Sequence, residues 1–418
     1  MDRTTAPINH PIKAVELVHP HRFELSNGVP VFTVNGGEQE VCRIEVIFKA
    51  GTAHQQQSLI ASLTGKMLTE GTTEHSGTWI AEELDQYGAY FQVNTSADHT
   101  TIALFSLNRY LNKTIPVLAE VIASCNFPED ELQTQCANGK EKLRVNMEKV
   151  ANLSKRAFME HLFDGHPYGR FALPGDYDKV DRNDLITFYD DHIRGCAFDI
   201  VVSGKVPDNL ELILQRYLGS LKAEKRIKDV PSLMAANEGE SVFVHKEGAI
   251  QSGVTIGKTG VHKKDEGFHR VQFVNTLLGG YFGSRLMSNL REDKGYTYGI
   301  GSGLVSLQAS GYFTIRTEVG SDYTEDTLLQ IRLEIDRLRN ETVSPEEMEL
   351  VRNYMIGSFV RNSDGPFAMA DRFKSLHIHG LGYEYYDRYT ETVSAMTADA
   401  VMEVAREYLD PDSFTWVV

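Results

Sequence analysis

Histidine is the residue whose spacing would reveal a metal centre most directly. Two imidazoles three or four positions apart on one helix can hold zinc, and a carboxylate beside them can take a proton from the metal-bound water. The chain has 14 histidines, and no two have that spacing. The nearest pairs favour structural roles. One lies in a solvated extended stretch, and the side chains of another point apart because they occupy positions i and i+2 of a helix. These pairs are His19 with His21, His377 with His379, and His161 with His166.

The sequence also gives little support for a catalytic nucleophile or for a phosphate-binding loop. The four cysteines form no C-x-x-C pair, which favours reduced, mostly buried thiols over disulfides or a zinc ribbon. No G-x-S-x-G nucleophile motif occurs. Gly279-Gly280 with Gly283 lacks a following G-K-[ST], so a tight entry into the helix carrying Arg285 is the better interpretation. The cysteines are Cys42, Cys125, Cys136 and Cys196.

Composition narrows the class of protein further. The chain has 418 residues, of which 41% are hydrophobic, and this length suits two to three domains. A formal net charge of −16 argues against binding to nucleic acid. No apolar run reaches the roughly 18 to 20 residues of a membrane span. Residues 1–5 show no basic region ahead of an apolar core, so we expect a cytoplasmic protein that does not bind a membrane.

Hydrophobic periodicity predicts an alternation of strands and helices. Asn27-Gly28 between two apolar runs predicts a hairpin within residues 23–34. Alternating apolar side chains predict a strand over 41–48, and helical spacing follows at Leu59 to Leu68 and at Ile80 to Tyr87. Further strands are expected over 89–95, 99–107 and 198–202, with helices over 110–124, after Pro128 and over 183–193. This order predicts an α+β fold with a mostly antiparallel sheet covered by helices.

The second half of the chain repeats the order of the first. Phe198-Asp-Ile-Val-Val matches Phe414-Thr-Trp-Val-Val, and Pro128 and Pro345 each open a helix after another helix. Gly88 and Gly295 each precede a pair of strands. We therefore predict two homologous domains of roughly 200 residues clasped around a cleft. The expected boundaries are residues 1–222 for the first repeat, 223–239 for a charged linker and 240–418 for the second repeat.

Four local segments carry a resemblance to a known family. They are Lys49-Ala-Gly-Thr before a helix ending in Glu70-Gly-Thr, His166-Pro-Tyr-Gly-Arg, Leu277-Leu-Gly-Gly-Tyr-Phe-Gly-Ser-Arg-Leu, and Leu290-Arg-Glu-Asp-Lys-Gly-Tyr-Thr-Tyr. Through them the sequence resembles the insulinase, pitrilysin and mitochondrial-processing-peptidase family of zinc peptidases over nearly its whole length. The resemblance implies a duplicated α+β unit, as the internal repeat does.

The resemblance also implies where a zinc motif should lie. Catalytic members carry H-x-x-E-H before the Gly-Thr step, and the corresponding positions here hold Ser62, Gly65 and Lys66. A hydroxyl is a poor zinc ligand, glycine offers no base, and an ammonium repels the dication. The family's third ligand would correspond to Glu141 or Glu148, and a single carboxylate does not hold zinc. We expect no metal or other cofactor in this chain.

A second element implied by the resemblance is an Arg and a Tyr, seven residues apart, that face the cleft in the C-terminal repeat. The matching residues are Arg291, at a helix end, and Tyr298, which we place on a strand. Arg285 and Tyr296 are neighbours that could be confused with them, and Tyr296 would face away from Tyr298 on a regular strand. A fixed guanidinium or phenol donor stabilises the oxyanion that forms when water attacks a peptide carbonyl.

Together these features predict the non-catalytic subunit of a heterodimer. Its partner would be a homologous subunit with the zinc motif, to which this chain lends Arg291 and Tyr298 while helping to hold unfolded peptide. Alone the chain should cleave nothing, although it could form a homodimer. The alternative is a scaffold or peptide-binding protein with no role in proteolysis, like the core subunits of respiratory complexes that share this fold.

Overall fold

The computed structural model describes residues 17–233 and 239–418, which form two halves, each made of a sheet and helices. The N-terminal residues 1–5, and residues 234–238 of the predicted linker, lie outside the described residues. Within the described ranges, no helix is long and apolar enough to cross a membrane.

The first half is built on a six-stranded sheet. Its strands, with a separate short parallel pair formed by β6 and β8, are β1 (His21–Glu24), β2 (Pro30–Asn35), β3 (Val41–Phe48), β4 (Tyr90–Thr95), β5 (Thr100–Leu107), β6 (Gly195–Cys196), β7 (Phe198–Gly204) and β8 (Ala223–Lys225). The order is β1-β2-β7-β3-β5-β4, in which only β2 and β7 are parallel neighbours. The turn at Asn27-Gly28 joins β1 to β2 with Gly28 at φ 78, which confirms the predicted hairpin.

Helices cover one face of this sheet. They are α1 (Ile60–Met67), α2 (Gly77–Gln86), α3 (Leu111–Ser124), α4 (Glu129–Met147), α6 (Arg182–His192) and α7 (Leu210–Tyr217), whereas α5 (Val150–Leu162) lies against the second half. Alternate residues of β3, namely Ile44, Val46 and Phe48, are fully buried in the core between sheet and helices. The apolar alternation in the sequence therefore marks the core face of the strand, as expected.

The second half repeats this arrangement around a five-stranded sheet. Its strands are β9 (Ser241–Val242), β10 (Gln251–Thr259), β11 (Ile300–Ser306), β12 (Gly311–Gly320) and β13 (Thr415–Val417), in the order β11-β12-β10-β13-β9. Only β13 and β9 are parallel, so both sheets are largely antiparallel as predicted.

The helices of the second half are α8 (Phe268–Asn275), α9 (Thr324–Asn340), α10 (Pro345–Arg361), α11 (Gly365–His377), α12 (Glu384–Ala395) and α13 (Ala398–Tyr408). Thr276–Gly280 and Met287–Asp293 are wider, π-helical segments. Short 3₁₀ turns lie at Thr52–His54, Asn108–Tyr110, Pro167–Gly169, Pro174–Lys179, Ser321–Tyr323 and Pro411–Ser413.

Each half lends one helix to the sheet of the other. Helix α5 of the first half packs on β10, β12 and β13, where the Ser154 and Thr255 hydroxyls are 3.0 Å apart. Helix α11 of the second half packs on β2 and β7, where His377 Nε2 lies 2.9 Å from an Asp199 carboxylate oxygen. The exchange fastens the two halves together and leaves cavities between them.

Polar contacts also cross between the halves. The buried carboxylate of Asp98 accepts hydrogen bonds from the Tyr168 hydroxyl at 2.6 Å and from the Gln308 backbone N–H at 3.0 Å. Around these contacts lie two cavities of about 530 Å³ and 1240 Å³, lined by residues of both halves. The predicted cleft is therefore present, and much of its wall is charged.

Candidate functional site

Helix α1 carries the positions at which the zinc motif is expected. Gly65 is buried, and a β-carbon added to it would lie 2.3 Å from Oγ1 of Thr95 on β4. A side chain at position 65 therefore requires the Thr95 hydroxyl to turn away from its hydrogen bond of 3.0 Å to the Thr100 hydroxyl. In the present packing of α1 against β4, the Thr95 hydroxyl occupies the space that such a side chain would enter.

The two positions that would hold imidazoles are occupied by unsuitable groups. The Ser62 hydroxyl donates a hydrogen bond of 2.9 Å to the carbonyl of Leu59, one turn earlier. Lys66 is exposed to solvent and presents an ammonium. Neither a hydroxyl nor an ammonium is a usual zinc ligand in proteins, and the positive charge of Lys66 repels a nearby dication.

The two carboxylates considered as third ligands are engaged elsewhere. Glu141 on α4 pairs with Arg144 at 2.5 Å, and Glu148 pairs with Lys246 at 2.6 Å. Within residues 17–233 and 239–418, no group of three or more His, Cys, Asp or Glu side chains is placed to hold a metal ion. The residues at the family's zinc position therefore do not fit the metal.

The second predicted element is assembled at the surface. The guanidinium carbon of Arg291 lies 4.7 Å from the ring centroid of Phe282 and 5.0 Å from that of Tyr298. Phe282 is 61% exposed and Tyr298 is 90% exposed, so the guanidinium sits between two rings that face solvent. We call these three residues the Arg291 patch. Phe282 was not predicted, although its place in the matching segment near Gly283 was a usable signal.

The hydrogen-bond donors of Arg291 have no protein partner among the described residues. No ion pair or hydrogen bond joins its guanidinium to a residue in the described part of the chain. The neighbouring Arg285 instead makes two bonds of 2.8 Å to the carboxylate of Glu347, and both side chains are mostly buried. Arg285 is thus a structural residue, whereas Arg291 can still bind an external oxygen atom.

The prediction that Tyr298 lies on a strand is wrong. Strand β11 begins only at Ile300, and Tyr296 and Tyr298 lie in the segment before it. Tyr296 stacks on Tyr323 at 4.4 Å, and a hydrogen bond to Asp326 raises the pKa of its phenol. The local contacts of the rings, and not strand alternation, turn Tyr296 inward and leave Tyr298 exposed.

The Arg291 patch is separate from the two cavities between the halves. Neither Arg291 nor Tyr298 belongs to the described residues that line them. The smaller cavity instead holds an ion-pair network that sequence analysis missed, because its members come from distant strands and helices. Arg43 pairs with Asp371 at 2.9 Å, and Lys374 pairs with Glu45 at 2.5 Å.

The remaining candidate groups have structural surroundings. His166 is buried, with Nε2 2.8 Å from the carbonyl of Pro231, and its Nδ1 accepts from the Tyr168 N–H. All four cysteines are free thiols, as expected, and burial raises the pKa of Cys42 and Cys125 to about 12. Such thiols are poor nucleophiles.

Comparison with known proteins agrees with this architecture. The family model described as insulinase (peptidase family M16) matches residues 31–173, and the one described as the peptidase M16 inactive domain matches residues 179–355. An uncharacterized zinc protease of Rickettsia felis (strain ATCC VR-1525 / URRWXCal2) is 25% identical over 331 residues, covering 78% of this chain and 79% of its own length. The uncharacterized zinc protease YmxG of Bacillus subtilis (strain 168) is 22% identical over 401 residues, covering 94% and 96%.

Solved structures share the fold. A crystal structure titled as the peptidase M16 inactive domain from Pseudomonas fluorescens superimposes with a TM-score of 0.85 at 21% identity, covering 96% of this chain and 98% of that one. A protease from Helicobacter pylori gives 0.85 at 20% identity, covering 95% and 98%. The two family models together span most of the sequence, and the match of its second half to the inactive domain fits the non-catalytic type. The chain therefore belongs to the insulinase (M16) family of peptidases.

Proposed function

We propose that this chain is the non-catalytic subunit of a heterodimeric metallopeptidase-like complex. A homologous subunit with an intact H-x-x-E-H helix would supply the zinc and the general base. The observation that carries the proposal is the contrast between two sites in one chain. Position 65 is a glycine whose side-chain space is occupied by the Thr95 hydroxyl, whereas the guanidinium of Arg291 has no hydrogen-bond or ion-pair partner among the described residues.

The Arg291 patch has the chemistry for a role in trans. When a partner's site directs water onto a peptide carbonyl, the oxygen gains negative charge, and a preorganised cation or phenol stabilises that charge more than the ground state. The rings of Phe282 and Tyr298 flank the guanidinium of Arg291, and its N–H groups have no hydrogen-bond partner among the described residues. An unfolded peptide is the matching substrate class, because an extended chain presents its carbonyls to such donors.

Relatives support a link to proteolysis without establishing it for this chain. Those from Rickettsia felis and Bacillus subtilis are called zinc proteases, while the Pseudomonas fluorescens structure is described as an inactive domain. Cytoplasmic localisation and a homodimer of the isolated chain stay predictions from the sequence.

The proposal is tested by measuring peptidase activity of the chain alone and of the chain mixed with a zinc-motif-bearing homologue from the same organism. We expect no cleavage by the chain alone. In the active pair, Arg291→Ala should lower kcat by about 100-fold, the usual loss for one oxyanion donor, and Tyr298→Phe should lower it less. Arg216→Ala is the matched control, because Arg216 also lies over a tyrosine ring, at 5.2 Å from Tyr217, but in the first half.

The outcomes separate the proposal from its alternative. A pair whose rate is unaffected by Arg291→Ala and Tyr298→Phe would leave the chain a scaffold with no part in the reaction. Chelator-sensitive cleavage by the single purified chain would contradict the non-catalytic role itself.

A further inference from the structure

A polar cavity in the second half has features of a ligand site that the proposed function does not use. It has a volume of about 410 Å³ and lies among α8, α10, α11 and α12, beside β11. That volume is within the roughly 300 to 1,000 Å³ of small-molecule sites. Two cations, Lys263 and Arg372, are among its lining residues, and no Asp or Glu is among the described ones. In a chain of net charge −16, such a lining is unusual.

Lys263 is held in the cavity wall by neutral groups only. Its ammonium donates to the Ser375 hydroxyl at 2.8 Å and to the Ser375 carbonyl at 3.3 Å. No ion pair joins Lys263 to a carboxylate in the described part of the chain. Burial lowers the pKa of this ammonium. Lys263 is half-buried, and a charge that is partly withdrawn from water is stabilised by an opposite charge, so its ammonium can still accept an anionic partner.

Arg372 approaches the same space from α11, one helical turn before Ser375. Its guanidinium donates to the carbonyls of Asn362 at 3.0 Å and Phe359 at 2.9 Å, and it stacks over the ring of Phe359 at 4.3 Å. These partners are neutral, so Arg372 adds positive charge that is not compensated within the cavity. Two cations that line the same cavity without carboxylate partners attract an anion.

A third polar group also lacks its partner. Asn275, the last residue of α8, is 8% exposed and lines the cavity. Its Oδ1 atom has no hydrogen-bond partner among the described residues. A buried amide without partners costs free energy, and the two ends of this amide offer a donor and an acceptor to a bound molecule.

The adjoining 530 Å³ cavity does not supply the missing charge. It shares Lys263 and Ser375 with this one and contains the carboxylates of Glu45 and Asp371. Those carboxylates pair with Arg43 and Lys374 at 2.5 to 3.1 Å. The ammonium of Lys263 stays outside that network.

We propose that the 410 Å³ cavity binds a small ligand that carries an oxyanion, a carboxylate or a phosphate, on an uncharged hydrogen-bonding body. The oxyanion contacts Lys263 and Arg372, the body bonds the amide of Asn275, and the rings of Tyr385 and Tyr386 pack against the remainder. The site lies in one chain and needs no second subunit, so its test is independent of the proposed proteolytic role.

Isothermal titration calorimetry on the purified full chain tests the proposal with four probes. They are acetyl-Tyr-Ala with a free carboxylate, the same dipeptide with a C-terminal amide, inorganic phosphate and phenyl phosphate. We expect an anionic probe to bind and the amide to bind at least about tenfold more weakly, since a charge-assisted hydrogen bond is lost. Binding of the dipeptide acid alone identifies a carboxylate ligand, and binding of a phosphate probe alone identifies a phosphate ligand.

Three variants locate the site. Lys263→Met removes the ammonium and keeps most of the stem, and Asn275→Asp places a repelling carboxylate in the cavity with little change of shape. Each should weaken binding by about tenfold or more. Lys258→Met is the matched control, because Lys258 also contacts a serine hydroxyl, that of Ser413 at 3.3 Å, but does not line this cavity.

Two results would overturn the proposal. One is equal binding of the dipeptide acid and its amide to the unaltered chain, together with no binding of either phosphate probe. The other is equal binding to the Lys263→Met and Lys258→Met variants. The comparison of the four probes on the unaltered chain needs no substitution, so it decides the matter even if Lys263→Met does not fold.

Discussion

Helix α1 and the Arg291 patch differ in how far neighbouring protein groups already occupy the positions that could do chemistry. At α1 the space that a side chain at position 65 would need is occupied by Oγ1 of Thr95. At the patch the guanidinium of Arg291 has aromatic walls but no carboxylate. In the first half, both the packing at position 65 and the residue types at positions 62 and 66 therefore differ from those of a zinc-binding helix. The second half retains a donor that is free to bind.

The largest stability effect should separate the two arginines near the patch. Arg285→Met should destabilise the fold by about 3 kcal/mol, because it leaves the mostly buried Glu347 carboxylate without its partner. Arg291→Met should cost less than about 1 kcal/mol, since only exposed cation–π contacts are lost. Urea unfolding of both variants measures the difference. Equal losses would mean that Arg291 is also a structural residue.

Substitution of glycine probes the packing at α1. Gly65→Ala should destabilise the fold by about 1 to 3 kcal/mol, since its β-carbon would overlap Oγ1 of Thr95. Gly357→Ala on α10 is the control, because nothing lies within 4 Å of its added β-carbon. That change should stabilise by about 0.5 to 1 kcal/mol through helix propensity. Denaturant midpoints report both effects, and a stabilising Gly65→Ala would show that position 65 has room for a side chain.

A smaller effect concerns one buried imidazole in each half. Burial lowers the pKa of His192 and of His379 to about 4 from the ordinary 6.5, and the charge of Lys263 adds to the shift at His379. The unfolded chain therefore binds these protons more readily than the folded chain. Their contribution to stability is complete above pH 6.5 and is lost as the pH falls toward 4.

Thermal unfolding between pH 7 and pH 5 checks this expectation. The unfolding midpoint should fall with pH, and the fall should be shallower in His192→Gln and in His379→Gln. A midpoint that rises on acidification, or slopes unchanged in both variants, would contradict the assignment.

Much of the fold followed from local patterns in the sequence. The alternation at Val41 to Phe48 and the turn at Asn27-Gly28 specify β3 and the first hairpin, because period-two burial and a left-handed glycine leave few other structures. The exchange of α5 and α11 between the halves was not predictable in this way. It depends on contacts such as His377 with Asp199, whose partners are far apart in the chain.

The identity of two residues of the candidate site was predictable from the sequence, but their arrangement was not. The resemblance to the family singled out Arg291 and Tyr298, yet the ring of Phe282 beside the guanidinium came only from the structure. From the sequence we place Tyr298 on a strand, whereas in the structure the segment stays irregular until Ile300. The cavity at Lys263 was missed for a different reason, since its residues come from separate helices.

Metal content tests the central claim most directly. The purified chain, dialysed against a chelator and then titrated with zinc, should bind substantially less than one equivalent, while a homologous subunit with H-x-x-E-H should bind one tightly. We expect this contrast because neither the Ser62 hydroxyl nor the Lys66 ammonium is a usual zinc ligand. Tight binding of one zinc ion by this chain alone would contradict it.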